Sequence, residues 1–364
     1  MEEMGVGRRL LKWSPFAAMI MVECLDVGLS TLGKAAMNRG MNHFVFVLYS
    51  NAIATLILLP LAFFINRTTR PPLSLALLCK FFLVGALCIT VMQNCVFTAI
   101  DYSSPTLGSA MSNLSPAATF VLAVIFGMEK LNIGSSISQI KVTGTLLSIS
   151  GALLVTLYKG FPITSFRIQH SPSQPLSSLL AQTSNWTIGG LFFAAASLSL
   201  ALSNITQASI LKGYSSQSTV VAFYCMFGTI QTAILSLIVV RDPNDWKISP
   251  GIELVSIFYS AIIGNVVTFS VLTWCIKRKG PVFVSLFKPV GIAIADFSSV
   301  IFLGETLHVG SVLGAVIIAI GFYTVLWAQS KEENAKGLQV DGQSFPSSQE
   351  SPLLETIRES NVLA

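Results

Sequence analysis

The chain has 364 residues, of which 52% are hydrophobic and only 11% are charged, and its formal net charge is +5. Soluble domains carry roughly 25% charged residues, so this composition excludes an ordinary water-soluble protein and indicates an integral membrane protein. The basic excess follows from the orientation of the chain in the membrane, described below, and gives no reason to expect nucleic-acid binding.

Ten apolar segments follow one another along the chain, each close to the about 20 residues that a helix needs to cross a bilayer. We number them spans 1 to 10. After an N-terminal segment, residues 1–14, the first five are residues 15–36, 42–65, 79–100, 105–128 and 140–158. A polar loop, residues 159–188, precedes the other five, residues 189–211, 216–240, 251–276, 281–303 and 309–328. The tail, residues 329–364, is polar and Ser-rich, which predicts disorder.

The distribution of basic residues predicts the orientation of these spans. The segments that lie on the same side of the membrane as the N-terminus hold fourteen Lys and Arg residues near the spans, whereas the segments on the opposite side hold six. Lys and Arg are retained on the cytoplasmic side of membrane proteins. We therefore expect both termini to be cytosolic, and we favour the plasma membrane over the vacuolar membrane.

The two halves of the chain share a sequence pattern. Residues 124–135 read VIFxxExLxIGS and residues 300–311 read VIFxxExLxVGS, and the pair Gly144 and Gly151 has the same spacing as Gly314 and Gly321. The pattern indicates a duplication. Because each half has five spans, an odd number, the second half should lie inverted relative to the first. Inverted repeats are typical of secondary transporters, whose substrate sites lie near the membrane midplane.

Four stretches of the sequence resemble a known family. They are GKAAMNRGM at 33–41, SPTLGSAMSNL at 104–114, LFKPV at 286–290 and FLGE at 302–305. They resemble the plant Walls-Are-Thin-related proteins, also called nodulin-21-like or UMAMIT transporters, of the EamA drug/metabolite transporter superfamily. The resemblance extends from residue 13 to residue 327. It implies an all-α protein with two inverted five-helix EamA-type repeats, residues 15–158 and 189–328. It also implies facilitated movement of amino acids or, in some members, auxin and related compounds.

Two carboxylates lie near the middle of span 1. An ionisable side chain at this depth costs several kcal/mol, about 3 on insertion scales, and normally faces a partner or a wet cavity. Glu23 and Asp26 are three residues apart and therefore share a helix face. They predict a cation or proton site or a contact for a substrate ammonium group; a purely structural pair is the alternative. Desolvation and mutual repulsion disfavour the ionisation of both, which predicts pH-dependent transport.

One lysine lies inside span 9. Lys288 immediately precedes Pro289, whose missing N–H leaves a backbone carbonyl free. Lys288 could receive a substrate carboxylate, pair with a carboxylate such as Asp296, or extend to the cytosolic surface. It could also neutralise Glu23 or Asp26 from across a cavity.

Neutral amides in the spans predict a polar central cavity. Each of them alone could equally form a hydrogen bond between helices, worth about 1 kcal/mol. The candidates for substrate binding are Gln93, Asn94, Asn113, Asn204, Gln207 and Asn265.

These patterns favour a secondary transporter of small metabolites, most of all amino acids, that works by alternating access. Auxin or a related indole acid is the alternative substrate, and a receptor or scaffold is the alternative class. An enzyme is not expected, because the three histidines lie at span ends or in loops and the sequence has neither a P-loop nor an H-E-x-x-H motif. No cofactor or metal is expected.

The expected partners are a small-molecule substrate and the lipid bilayer. Two helix faces are made of small residues, which fit close helix packing, and a homodimer is therefore possible. One face has Gly310 and Gly314, and the other has Gly144, Ser148 and Ala152. The identity of the substrate, the direction of transport and its coupling are undecided at this point.

Overall fold

The computed structural model describes residues 2–37, 39–65, 73–102, 111–112, 114–129, 135–158, 176–303 and 309–343. In those residues the chain forms helices and turns and no β-strand. A helix satisfies its own backbone hydrogen bonds, which a segment surrounded by lipid requires. The prediction of an all-α membrane protein is confirmed.

Six α-helices are bounded within the described residues of the first half. They are α1 Glu2–Met37, α2 His43–Ile65, α3 Leu75–Gly85, α4 Met92–Tyr102, α5 Leu114–Ile125 and α6 Ser136–Leu157. A π-helical segment, Ala86–Val91, joins α3 to α4 without a break.

In the part of the second half that the structure describes, the chain forms seven α-helices. They are α7 Leu176–Gly213, α8 Gln217–Val239, α9 Ile252–Tyr259, α10 Phe269–Lys279, α11 Pro281–Ser285, α12 Lys288–Leu303 and α13 Val309–Gln343. A second π-helical segment, Ser260–Thr268, joins α9 to α10, and a short 3-10 helix, Pro243–Trp246, lies between α8 and α9.

Large apolar side chains face outward from this bundle. Leu56, Phe64, Leu191, Leu237 and Tyr323 are each 68–73% exposed, as expected for surfaces that contact lipid rather than water. Six helical stretches in the described residues are long and apolar enough to cross a membrane. They are Trp13–Met37, His43–Ile65, Leu75–Ala99, Ile188–Gly213, Gln217–Val239 and Ile252–Lys279. The full count of ten crossings stays a prediction.

Three helices extend well beyond the predicted spans. Helix α1 begins at Glu2, inside the predicted N-terminal segment. Helix α7 begins at Leu176, inside the predicted loop, and α13 continues to Gln343, where the sequence predicted a disordered tail from residue 329. Residues 329–343 include two Lys, two Glu and three Gln, which have high helix propensity, so the helix continues although the apolar pattern has ended. Residues 344–364 lie outside the described part of the chain.

Helices α6 and α13 pack closely along their small residues. A Cβ atom on Gly144 would lie 2.9 Å from the carbonyl oxygen of Gly321, and one on Gly151 would lie 2.9 Å from that of Gly314. The order of these contacts is reversed along the two helices, so they run antiparallel. Gly144, Ser148 and Gly314, which belong to the faces that suggested a homodimer, therefore pack within the chain, and Gly144 and Gly151 are not available to a second copy.

We expect Gly151→Ala to lower the free energy of unfolding by about 1–3 kcal/mol, because the new methyl group overpacks a helix contact that cannot expand. Thermal unfolding of the detergent-solubilised protein measures this. Gly213→Ala is the matched control, since a Cβ atom there meets nothing within 4 Å. Equal stability of the two variants would contradict the close packing of α6 on α13.

Candidate functional site

The structure brings together three of the four charged residues that the sequence singled out in spans 1 and 9, namely Glu23, Asp26 and Lys288. The Lys288 Nζ atom lies 3.3 Å from Glu23 Oε1 and 3.2 Å from Asp26 Oδ2. We call these three residues the charge cluster. Two carboxylates share one ammonium group, so the cluster has a formal charge of −1 when all three groups are ionised.

A helix break places Lys288 in this cluster. Helix α11 ends at Ser285 and α12 begins at Lys288, followed by Pro289. The break is held by buried aromatic rings, since Phe283 and Phe287 are both 0% exposed and their ring centroids lie 5.1 Å apart. Phe283 also contacts Phe16 of α1, which fixes the break against the helix that carries the two acids. Such discontinuous helices often line substrate sites in transporters.

Space for Glu23 is created by a glycine. A Cβ atom on Gly291 would overlap Glu23 Oε2, so this carboxylate packs against the bare backbone of α12. Glu23 is 3% exposed, whereas the side chains of Asp26 and Lys288 are 38% and 24% exposed. Glu23 is therefore sealed inside the protein, and Asp26 and Lys288 are the members that an incoming molecule can reach.

Tyr259 packs helix α9 against α1 beside this cluster. Its hydroxyl donates a hydrogen bond to the Leu25 carbonyl oxygen at 3.3 Å, next to Asp26 in the chain. A Cβ atom on Gly28 would lie 2.8 Å from the same hydroxyl oxygen, so a larger residue there would displace the tyrosine. Tyr259 was not predicted, because a tyrosine near the start of a span is ordinary in membrane proteins.

Three amides from three helices form a second polar group, which we call the amide chain. Asn51 Nδ2 in α2 donates to Gln93 Oε1 in α4 at 2.9 Å. Gln93 Nε2 in turn donates to Asn265 Oδ1, in the second π-helical segment, at 3.4 Å. The sequence predicted Gln93 and Asn265 but missed Asn51, although a lone amide in an apolar span was the available signal.

The two ends of the amide chain are buried without partners. Asn51 Oδ1 and Asn265 Nδ2 have no hydrogen-bond partner among the described residues, and the two side chains are 0% and 2% exposed. An unsatisfied buried polar group costs about 1–3 kcal/mol. Five other buried side-chain atoms of the described residues also lack a partner, Asn94 Oδ1 and Thr268 Oγ1 among them, and each such atom requires an explanation. The amide chain differs from these in that its two free atoms stand at the ends of one run of hydrogen bonds.

The amide chain and the charge cluster lie at a similar depth. Helix α1 runs antiparallel to α9 and α10. Ser256 Oγ donates to the Leu32 carbonyl oxygen at 3.0 Å, and Tyr259 contacts Leu25. Further along, Cys275 Sγ lies 3.9 Å from the Pro15 carbonyl oxygen. Asn265 falls between Tyr259 and Cys275 in sequence. A Cβ atom on the neighbouring Gly264 would lie 2.8 Å from Leu29 Cδ2. Asn265 therefore lies opposite the stretch of α1 between Leu29 and Pro15, which contains Glu23 and Asp26.

Gln207 and Asn94 have local partners. Gln207 Nε2 donates to Ser203 Oγ at 3.2 Å, and Thr273 Oγ1 donates to Gln207 Oε1 at 3.1 Å, which joins α7 to α10. Asn94 Nδ2 donates to the Thr90 carbonyl oxygen of its own helix at 2.8 Å. Helix packing accounts for both polar ends of Gln207, whereas Asn94 Oδ1 is buried without a hydrogen-bond partner among the described residues.

Three further candidates remain, and the structure describes the side chain of one of them. Asn204 is buried, 5% exposed, in α7. Asn113 lies outside the described residues, and Asp296 is in α12 with a side chain outside the described part. Pairing of Lys288 with Asp296 thus stays an untested expectation, while pairing of Lys288 with Glu23 and Asp26 is observed.

Comparisons with known proteins give a consistent result. A profile of the EamA-like transporter family matches the chain twice, over residues 16–157 and 187–327, in agreement with the predicted duplication. Two WAT1-related proteins of Arabidopsis thaliana are each 42% identical to it; one alignment covers 94% of this chain and 96% of the relative, and the other covers 94% and 92%. An auxin-induced protein of Pinus taeda is 36% identical, over 92% of this chain and 83% of that protein.

The fold also has a counterpart among solved structures. One crystal structure superposes with a TM-score of 0.64 over 88% of this chain and 99% of that chain, with 13% sequence identity. At this identity the likeness concerns the fold alone.

Proposed function

We propose a specific transport activity for this chain from the premise that it belongs to the EamA-like transporter family and, within it, to the plant WAT1-related proteins. Membership indicates a multi-pass membrane transporter of a small molecule. Our proposal goes further. The chain is a secondary transporter of amino acids that works by alternating access, and the charge cluster binds the substrate.

The charge of the cluster supports amino acids over indole acids. A carboxylate anion such as an indole acid would add a second surplus negative charge to a site that already has two acids and one lysine. An amino acid zwitterion adds none. Its ammonium group can bind Asp26, which is 38% exposed, and its carboxylate can bind Lys288, whose ammonium group has three donors. The shared lysine is the single observation that carries this proposal.

An inverted arrangement of the two halves is part of the proposal. In the repeat pattern Gly144 of the first half corresponds to Gly314 of the second, and Gly151 corresponds to Gly321. Replacing each glycine by its counterpart converts the contact Gly144–Gly321 into the contact Gly151–Gly314, and both contacts are present. A two-fold relation between the halves produces such a self-complementary contact. The two π-helical segments support it as well, because each lies in the third span of its half.

Reconstitution into liposomes tests the substrate class. We expect saturable uptake of zwitterionic amino acids and no uptake of a labelled indole acid by the purified protein. Uptake of the indole acid alone would support the alternative substrate. Absence of any uptake by protein that is correctly folded and inserted would favour a receptor or scaffold.

We also propose that both termini are cytosolic and that the protein resides in the plasma membrane. In a background without the native cysteines, a membrane-impermeant thiol reagent should label Lys247→Cys in intact cells and Lys336→Cys only after permeabilisation. The reason is the retention of basic segments in the cytosol. Labelling of Lys336→Cys in intact cells would contradict the orientation and, with it, the inverted repeats. A fluorescent fusion tests the choice of membrane.

A further inference from the structure

We infer that the amide chain of Asn51, Gln93 and Asn265 is a second subsite, which binds a neutral substrate side chain that has both a hydrogen-bond donor and an acceptor. A primary carboxamide is the best match. This inference rests on the proposed transport of amino acids and adds a preference among them. The charge cluster would bind the ammonium and carboxylate groups that all amino acids share, and the amide chain would select the side chain.

The first support is the direction of the hydrogen bonds. Asn51 donates to Gln93, and Gln93 donates to Asn265. The chain of amides thus has a polarity, with a free acceptor, Asn51 Oδ1, at one end and a free donor, Asn265 Nδ2, at the other. A carboxamide has an N–H group for the first and a carbonyl oxygen for the second.

The orientation of the first amide is fixed independently. Asn51 Nδ2 also donates to the Val47 carbonyl oxygen at 2.8 Å, and a carbonyl oxygen can only accept. The nitrogen of Asn51 must therefore face Val47 and Gln93, which leaves its oxygen as the free end. The order of donors and acceptors along the chain follows from this one contact.

The second support is the location of the amides. Gln93 comes two residues after the π-helical segment Ala86–Val91, and Asn265 lies within the segment Ser260–Thr268. π-helical turns inside α-helices are frequent at functional sites. Asn265 also lies opposite the part of α1 that contains Glu23, so one amino acid could contact the charge cluster and the amide chain together.

The burial of the two free amide atoms indicates in which conformation the ligand binds. In the conformation described here Asn51 Oδ1 and Asn265 Nδ2 have no contact with solvent. The helices that carry them, α2 and the continuous helix of α9 and α10, pack against each other and against α1 and α8. A substrate reaches the amides when these helices separate, and the amides become satisfied only in the loaded carrier.

The test compares glutamine with leucine, which differ mainly in the carboxamide. A neutral hydrogen bond changes an equilibrium constant by about tenfold, so wild-type protein in liposomes should take up glutamine with a kcat/KM about tenfold or more above that for leucine. Asn265→Leu and Asn51→Leu should bring this ratio close to one. Uptake of leucine by the same variants reports whether they fold, because leucine does not use the amides.

The matched control removes a hydrogen bond elsewhere in the bundle. Thr55 Oγ1 and Thr229 Oγ1 lie 2.9 Å apart and join α2 to α8, so Thr229→Val should keep the ratio of the wild type. If Asn265→Leu loses all uptake, Asn265→Asp replaces it, since Asp keeps the volume and the acceptor for Gln93 but lacks the donor. That variant should also lose the preference for glutamine.

The outcomes separate this inference from the proposed function. Wild-type uptake of glutamine and leucine with equal kcat/KM, unchanged in the variants, would overturn the subsite and leave the amide ends as places for structural water. Absence of uptake of any amino acid by wild-type protein would instead overturn the proposed function.

Discussion

Lys288→Met is expected to lower the kcat/KM of amino acid uptake by about 100-fold. The variant removes the proposed contact for the substrate carboxylate and leaves Glu23 and Asp26 without the ammonium group 3.2–3.3 Å away. Breaking a buried ion pair by removal of one partner costs about 3–5 kcal/mol, and each 1.4 kcal/mol corresponds to tenfold. Uptake into liposomes, normalised to correctly inserted protein, measures the effect. Full uptake with unchanged apparent affinity would leave Lys288 a structural residue.

A rescue experiment separates the two roles of Lys288. In the triple variant Lys288→Met, Glu23→Gln and Asp26→Asn, no charge is left unpaired, so the protein should regain its stability. If Lys288 only neutralises the acids, transport should return with the fold. We expect transport to stay lost, because the groups proposed to bind the substrate are absent. Lys288→Arg is the control that keeps the charge.

Uptake is expected to fall as the external pH rises, by up to about tenfold per pH unit where one proton is required. The reason is the charge count of the cluster, in which two carboxylates face one lysine, so a proton taken up together with the zwitterion removes the surplus negative charge of the loaded carrier. Glu23→Gln should remove this pH dependence, since it leaves the neutral pair of Lys288 and Asp26. Uptake measured across external pH for the wild type, Glu23→Gln and Asp26→Asn gives the result.

A second ion pair supplies the control for this experiment. Lys141 Nζ lies 3.3 Å from Glu129 Oε2, at the junction of α5 and α6. Glu129→Gln removes a carboxylate of that pair, outside the charge cluster, and should keep the wild-type pH profile. If the profiles of all the variants coincide with that of the wild type at undiminished rates, the acids of α1 are structural and the coupling lies elsewhere.

Much of the fold could be predicted because the bilayer imposes a simple pattern. Long apolar segments marked the helices, and the intramembrane charges Glu23, Asp26 and Lys288 marked the site before any contact was known. The high cost of a charge in lipid makes such residues informative singly. Their pairing was only one of several alternatives, since it depends on which face of α12 meets α1.

The neutral residues show where sequence reasoning ends. Asn51 and Gln207 are both amides in apolar spans, yet one belongs to the amide chain and the other joins α7 to α10 through Thr273. A hydrogen bond between helices and a ligand contact need the same side chain. The role of Gly291 could not be predicted from the sequence either, because it depends on a carboxylate 268 positions earlier in the chain.

The antiparallel contact of α6 with α13 has a consequence for biosynthesis. Helix α6 leaves the ribosome early and α13 is the last described helix to emerge, so the glycine face of α6 faces lipid or a chaperone until translation is nearly complete. The first half therefore cannot reach its final packing on its own. A chain truncated before Val309 would display that face permanently, and we expect the cell to degrade it rather than to insert a working half.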